Sequence, residues 1–315
     1  MGNTRSVPDS QRTPVRRVTV DAGRAGQRLD NFLLHAFAGV PRSVIYRLCR
    51  TGEVRVNGGR AKPATRLSEG DEVRLPPVRI SPSGERRVPD ALVHRLEQAI
   101  VFEDDDLIVL NKPAGVAVHS GTGVAFGVID ALRQARDDAA RQLDLVHRLD
   151  RDTSGCLLLA KHPMANRELK QLLASRAVEK RYTALVLGRW PRDVRRIEKA
   201  LLKNRQRGGE RVSAVDEAGR DAVTHVTRVD AGTRCTRLEL RIETGRTHQI
   251  RVHTAGVGHP IVGDTKYGDH RANRQFAGAG CRGMHLHSTL LAFCWRGERR
   301  FEVAAPADWA DALKL

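Results

Sequence analysis

Leu145 to Lys161 reads LVHRLDRDTSGCLLLAK, and its two halves make opposite demands on the fold. Cys156 to Ala160 is wholly apolar, bounded by Gly155 on one side and by Lys161, His162 and Pro163 on the other. It predicts a buried strand. The eight residues before Gly155, His147 to Ser154, hold two arginines, two aspartates, a histidine, a threonine and a serine. Charges set against a buried strand must be satisfied locally, because an unpaired ion withdrawn from water is costly. The stretch therefore predicts a polar site at the end of a core strand, with Asp150 in its middle.

A chain of 315 residues is too long for one small domain and long enough for a sizeable core. Its formal net charge is +17, and arginine outnumbers lysine by 45 to 9. Guanidinium forks match phosphate oxygens, so RNA or DNA is the expected partner. Residues 1–90 carry 17 Lys+Arg against 9 Asp+Glu, and the other 225 carry 37 against 28. The first segment is thus over twice as basic per residue, which suits a separate module that grips nucleic acid. Cys49, Cys156, Cys235, Cys281 and Cys294 show no CxxC spacing. No zinc site or disulfide framework is readable from them, and buried thiols in a cytoplasmic protein fit best. The polar start lacks the apolar centre of a signal peptide, and no apolar run approaches membrane-spanning length.

Residues 1–25 read as a basic tail, with a short strand at Val18 to Val20. Gln27 to Phe37 places Leu29, Phe32, Leu33 and Phe37 on one helical face. A second helix, SVIYRLCRT, closes at Gly52 and carries Arg42, Arg47 and Arg50 on its spare face. Small strands follow around Asn57-Gly58-Gly59 and after Glu69-Gly70-Asp71. This pattern over residues 26–78 resembles the small alpha-L RNA-binding domain of a ribosomal small-subunit protein. The Pro-rich stretch 79–90 reads as a linker, leaving 91–315 as a larger domain. Within it, Asp130 to Leu143 predicts a helix, and ALLKNRQRGG a basic loop region. AVTHVTRV and CTRLELRIE alternate like neighbouring antiparallel strands.

Four stretches now stand together: HRLD at 147–150 with TSG at 153–155, KRY at 180–182, GRTHQIRVH at 245–253, and NKPAG at 111–115. Together they resemble the RluA family of pseudouridine synthases over about residues 26–305. The resemblance implies an α+β fold with a central, mainly antiparallel mixed sheet, and a monomer that needs no cofactor and no metal. It implies isomerisation of uridine to pseudouridine by cutting the glycosidic bond, turning the base and rejoining it through carbon-5. The target base must leave its stack for this chemistry. Within the family, LLKNRQRGGERVSAV and GDEVRLPPVR are closest to members that modify large-subunit (23S) ribosomal RNA at several uridines. The alternatives are a non-catalytic RNA-binding assembly factor on the same scaffold, and a synthase acting on transfer RNA or another ribosomal site.

By the same resemblance Asp150 is the catalytic carboxylate, either nucleophile or base at the ribose. Arg251 pairs with it and holds its charge. Tyr182 stacks on the target ring, with Ile250 packing the other side, and Arg148 fills the space the base leaves. His147, Thr153 and Arg246 complete the expected substrate-binding set. His147, His248 and His253 read as structural hydrogen-bonders, Thr153 and Ser154 as fixing the loop through the backbone, and Lys112 to Gly115 as a turn near the RNA. Lys203, Arg205 and Arg207 join Arg42, Arg47 and Arg50 as expected RNA-backbone contacts.

Overall fold

The computed structural model describes residues 13–37, 40, 42–78, 87–120, 124–136, 142–207 and 210–314, with the backbone alone for 42, 203–207 and 210–212. The chain forms two compact units, Met1–Arg87 and Val88–Leu315. No described helix is long and apolar enough to cross a membrane.

In the smaller unit β1 (Arg16–Thr19), α1 (Leu29–Ala36), α2 (Arg42–Thr51), β2 (Arg55–Val56), β3 (Gly59–Arg60) and β4 (Glu72–Leu75) follow in order. The strands form one sheet in the order β1-β4-β2-β3. Leu29, Phe32 and Leu33 of α1 and Ile45, Leu48 and Cys49 of α2 are buried on a shared core with Val54, Val73 and Leu75. Spacings of three and four residues put these side chains on one face of each helix, so Arg47 and Arg50 are left exposed. The short strand expected at Val18 to Val20 is β1, which starts two residues earlier, with Arg16 opposite Leu75 and Thr19 opposite Glu72.

The larger unit begins earlier than the Pro-rich composition suggested, because Val88 is already buried in its core. It runs α3 (Asp90–Glu97), β5 (Ile100–Glu103), β6 (Leu107–Lys112), α4 (Val128–Gln134), β7 (Asp144–Leu145), β8 (Ser154–Ala160), α5 (Pro163–Ala174), β9 (Glu179–Leu187), β10 (Arg196–Glu198), β11 (Leu201–Arg207), β12 (Glu210–Val215), β13 (Val223–Ala231), β14 (Cys235–Ile242), α6 (Gln249–Gly256), α7 (His270–Gly278), β15 (Leu286–Cys294), β16 (Glu298–Glu302) and α8 (Trp309–Ala312). Its main sheet has the order β10-β13-β14-β9-β15-β8-β6-β5, with β16 on β15 and β7 on β8. Every pairing is antiparallel except β8 with β15. All seven residues of β8 are buried. Leu157 and Leu159 face one core cluster, and Cys156, Leu158 and Ala160 face another. A strand covered on both sides has no polar face to show, which is why its sequence is a continuous apolar run.

Two local expectations are corrected. The helix expected from Asp130 to Leu143 spans Val128–Gln134, and Leu143 instead sits in the core with its carbonyl accepting from Arg133. The expected basic loop at 199–209 contains β11, which pairs with β12 as a hairpin. Its lysines and arginines hid a strand because a two-stranded ribbon needs little apolar alternation.

The turn into β8 has one steric requirement. Gly155 has φ +101, and a Cβ there would lie 2.2 Å from the Ser288 carbonyl oxygen of β15. Glycine alone lets these two backbones approach in that conformation. Gly155→Ala should lower stability by about 2 kcal/mol or more, read as a drop in the urea midpoint with the slope unchanged.

Candidate active site

Asp150 stands in the loop that joins β7 to β8. β7 pairs with the far end of β8, Asp144 opposite Ala160, so the chain must double back along β8 before entering it. Leu149 is buried in the core between the exposed Arg148 and the part-exposed Asp150. His147 closes the return, its Nε2 accepting from the Leu158 amide at 3.1 Å. Burial pushes its imidazole down to about 4, so it is neutral and structural at neutral pH. The Thr153 amide donates to the Asp150 carbonyl at 3.2 Å and so helps to fix the loop, while the two side chains bond no backbone group among the described residues. Ser154 Oγ is 2.8 Å from His287 Nδ1, and Thr153 Oγ1 is buried with no hydrogen-bond partner among the described residues.

The expected turn is present at Ala114–Gly115, and Lys112, the last residue of β6, enters it from the core. Lys112 is fully buried, and its Nζ donates to the carbonyls of Pro113 (2.9 Å), Val116 (2.8 Å) and Arg151 (3.0 Å). Three carbonyls satisfy the three protons of an ammonium. The lysine thus pins the residue that follows Asp150. Burial pulls its pKa below the ordinary lysine range, while Asp152 and Asp150 act to keep it charged.

The helix α6 explains the spacing in GRTHQIRVH. Gln249 and His253, one turn apart, face β13. Gln249 Nε2 donates to Val223 O and Thr224 Oγ1 at 3.0 and 3.1 Å. His253 Nδ1 lies 2.9 Å from Thr224 Oγ1. Ile250 is buried in the same core cluster as Tyr182 and Leu149. His248 and Arg251, three residues apart, are thereby turned toward Asp150. Arg246 is held back toward the approach to β13, its Nε donating to the Asp221 carbonyl at 3.1 Å.

Arg251 joins two carboxylates. Its NH1 donates to Asp150 Oδ2 at 2.9 Å, and its Nε and NH2 donate to Asp264 Oδ2 and Oδ1 at 2.8 and 2.9 Å. The side chain of Arg251 is 7 % exposed, that of Asp264 0 % and that of Asp150 17 %. Burial works against the guanidinium, but Asp264 first and Asp150 second raise its pKa further above its ordinary value. Burial alone would raise the Asp264 carboxyl. The Arg251 fork and the amides of Tyr267 and Lys266 instead hold it below 3.8. The expected Asp150–Arg251 pair is present, and the bidentate anchor behind it, Asp264 in the stretch GDTKYG, was not anticipated. Its signal was an Asp-Gly-rich turn with no periodicity tying it to residue 251.

Tyr182 is buried on β9, opposite Leu240 of β14 and Ser288 of β15. Burial pushes its phenol up to about 12, with Ser288 acting the other way and the Asp150 charge adding to the rise. It is therefore an uncharged ring with a proton to donate. Among the described residues no group of three or more His, Cys, Asp or Glu is placed to hold a metal ion. The side chains of Arg42, Lys203, Arg205 and Arg207 lie outside the described residues.

Asp264→Asn removes one partner of a buried pair and should cost about 3 kcal/mol or more. Its folded pKa lies below the unfolded value, so the stability it contributes is present above the unfolded value and lost as pH falls through the folded one. Denaturation midpoints between pH 7 and 3 should therefore fall less steeply in acid for the variant than for the native protein.

The geometry can be set beside known proteins. The profile of the family described as RNA pseudouridylate synthase matches residues 106–256, and that of the S4 domain matches residues 27–73. The chain is similar to the ribosomal large subunit pseudouridine synthase C of Haemophilus influenzae, 47 % identical over 281 residues, 89 % of this chain and 87 % of that one. The protein of the same name from Escherichia coli (strain K12) is 46 % identical over 299 residues, 93 % of each chain. The solved structure of human RNA pseudouridylate synthase domain containing 4 matches with a TM-score of 0.58 and 26 % identity, covering 71 % of this chain and 95 % of that one.

Proposed function

We propose, from the premise that this chain belongs to the RNA pseudouridylate synthase family, that it isomerises uridines to pseudouridine in large-subunit ribosomal RNA with Asp150 as the reacting carboxylate. The chain is an isomerase with an S4 domain ahead of the synthase domain. The observation that carries the assignment of Asp150 is the asymmetry of its carboxylate. Oδ2 accepts from Arg251 NH1 at 2.9 Å, whereas Oδ1 accepts no hydrogen bond among the described residues and has the His248 ring at 3.7 Å.

Oδ1 is thus the oxygen left to act at the ribose, by attack or by removal of a ribose proton. Either role needs the ionised form, and the Arg251 guanidinium stands against that carboxylate. The glycosidic bond breaks, the uracil turns, and its carbon-5 joins the ribose; the proton that carbon-5 loses is matched by the one the freed ring nitrogen gains, so product and substrate have the same atoms. Tyr182, neutral at working pH, offers a flat ring for the base and a hydroxyl that keeps its proton. Ile250 closes the other side, and Arg148, exposed beside Asp150, takes the place of the departed base. No step calls for an oxidant, a reductant or a nucleotide. The basic helix face bearing Arg47 and Arg50 grips RNA phosphates, joined by Arg42 and by the strand bearing Lys203, Arg205 and Arg207. The protein works as a monomer in the cytoplasm, where the ribosomal RNA is.

Asp150→Asn keeps the shape and removes the charge, so turnover should be lost with RNA affinity nearly unchanged. Measurable single-turnover product from the purified variant would sink the assignment. Arg251→Met should lower the single-turnover rate at saturating RNA far more than it lowers affinity, because Asp150 loses the cation that holds Oδ2, while Arg251→Lys retains part of the rate. Lost affinity with an unchanged saturating rate would make Arg251 a phosphate contact. Deleting residues 1–87 should flatten the dependence of RNA affinity on salt, because fewer counterions are released. An unchanged slope would remove the small unit from the RNA interface.

A further inference from the structure

Tyr267 is used neither by the Asp150–Arg251–Asp264 pairing nor by the base platform, yet it touches each group that holds the reacting carboxylate. Its amide donates to Asp264 Oδ1 at 3.0 Å. The guanidinium carbon of Arg251 stands 5.1 Å from the centre of its ring, a cation over a π face. The His248 ring meets the Tyr267 ring edge-on, with centroids 5.5 Å apart. The Tyr267 hydroxyl lies 2.9 Å from the Ser213 amide of β12 and 2.7 Å from His248 Nδ1. The other ring nitrogen, Nε2, is 3.7 Å from Asp150 Oδ1.

These contacts decide a tautomer. A phenol has one proton. Its oxygen accepts the Ser213 amide, so its proton goes to His248 Nδ1, which must then be bare. The ring is neutral at neutral pH: burial holds it down to about 4, with Asp150 and Asp264 opposing and Arg251 and Lys266 reinforcing. A neutral imidazole carries its single N–H on the remaining nitrogen. Nε2–H therefore faces Asp150 Oδ1, and the opposite tautomer would set a lone pair against a carboxylate. The backbone agrees that the ring is placed on purpose. His248 has φ 56 and ψ 24, a left-handed conformation that a non-glycine residue keeps only where its surroundings enforce it.

We infer that Tyr267 and His248 are positioning residues for the isomerisation: the Tyr267 hydroxyl, held by the Ser213 amide, fixes His248 with its proton on Nε2, and that N–H orients Asp150 Oδ1. The inference rests on the reading of Asp150 as the reacting group. At 3.7 Å the contact is electrostatic, beyond hydrogen-bond length, so it steers Oδ1 without occupying it. It also ties the β11–β12 hairpin to the reacting oxygen through one amide and two side chains.

The test has two arms. Nitrogen-15 NMR of histidine-labelled protein without RNA, near neutral pH, should show His248 protonated on Nε2 and bare on Nδ1. In Tyr267→Phe, which keeps the ring over Arg251 and loses the hydroxyl, an Nδ1-protonated population should appear. With RNA, Tyr267→Phe should lower the single-turnover rate at saturation by about tenfold or more and leave affinity within about twofold. His248→Gln, which keeps a side-chain N–H, should recover part of the rate that His248→Leu loses. A native His248 protonated on Nδ1, or a folded Tyr267→Phe protein with native turnover, overturns the inference. Turnover by Asp150→Asn would instead overturn the reading of the site, and the tautomer arm is independent of that outcome.

Discussion

The larger unit depends at its functional end on one guanidinium held between two carboxylates. Arg251 gives two of its three side-chain hydrogen bonds to Asp264, which is fully buried, and one to Asp150, which is part-exposed. The distribution matters. An arginine paired with Asp150 alone could leave with substrate phosphate, since phosphate fits the same fork. The bidentate bond to Asp264 keeps it in place, so the charge beside Asp150 is part of the protein. Asp264 in turn is held by the amides of Lys266 and Tyr267, and its carbonyl accepts from the Gly268 amide and the Asn273 side chain.

What the sequence made legible follows from how local the cause is. The strand at 156–160 was readable because burial on both faces leaves only apolar residues. The faces of α1 and α2 were readable from spacings within two turns. Asp150 and Arg251 came through a resemblance carried by two dense motifs, and the structure sets them 2.9 Å apart. Asp264 and Tyr267 were missed because their importance arises from side chains that meet across loops. The turn in NKPAG was legible from its residue types, but the burial of Lys112 was not, because lysine is seldom buried. Its three carbonyl acceptors come from backbone geometry that no residue type announces.

The histidines show the same limit from another side. Sequence reading grouped His147, His248 and His253 as structural, and two fit that description: His147 accepts from the Leu158 amide, and His253 bonds Thr224 and Lys199. His248 differs because the helical step of three residues from Arg251 brings its ring to Asp150. Composition treats the three alike, and position on the helix separates them.

β15 has a consequence in time. Its first half lies between β8 and β9, His287 beside Ser154 and also beside Thr183. Without it the strand that follows Asp150 and the strand that carries Tyr182 share no edge. Yet β15 is Leu286–Cys294, later in the chain than Asp150, Tyr182, Arg251, Asp264 and Tyr267. A ribosome making this chain releases all of those residues before the strand that sets two of them in register. A partly synthesised chain can therefore hold a folded small unit able to touch RNA while its chemistry is still unassembled. Assembly of the site therefore waits until β15 has been made.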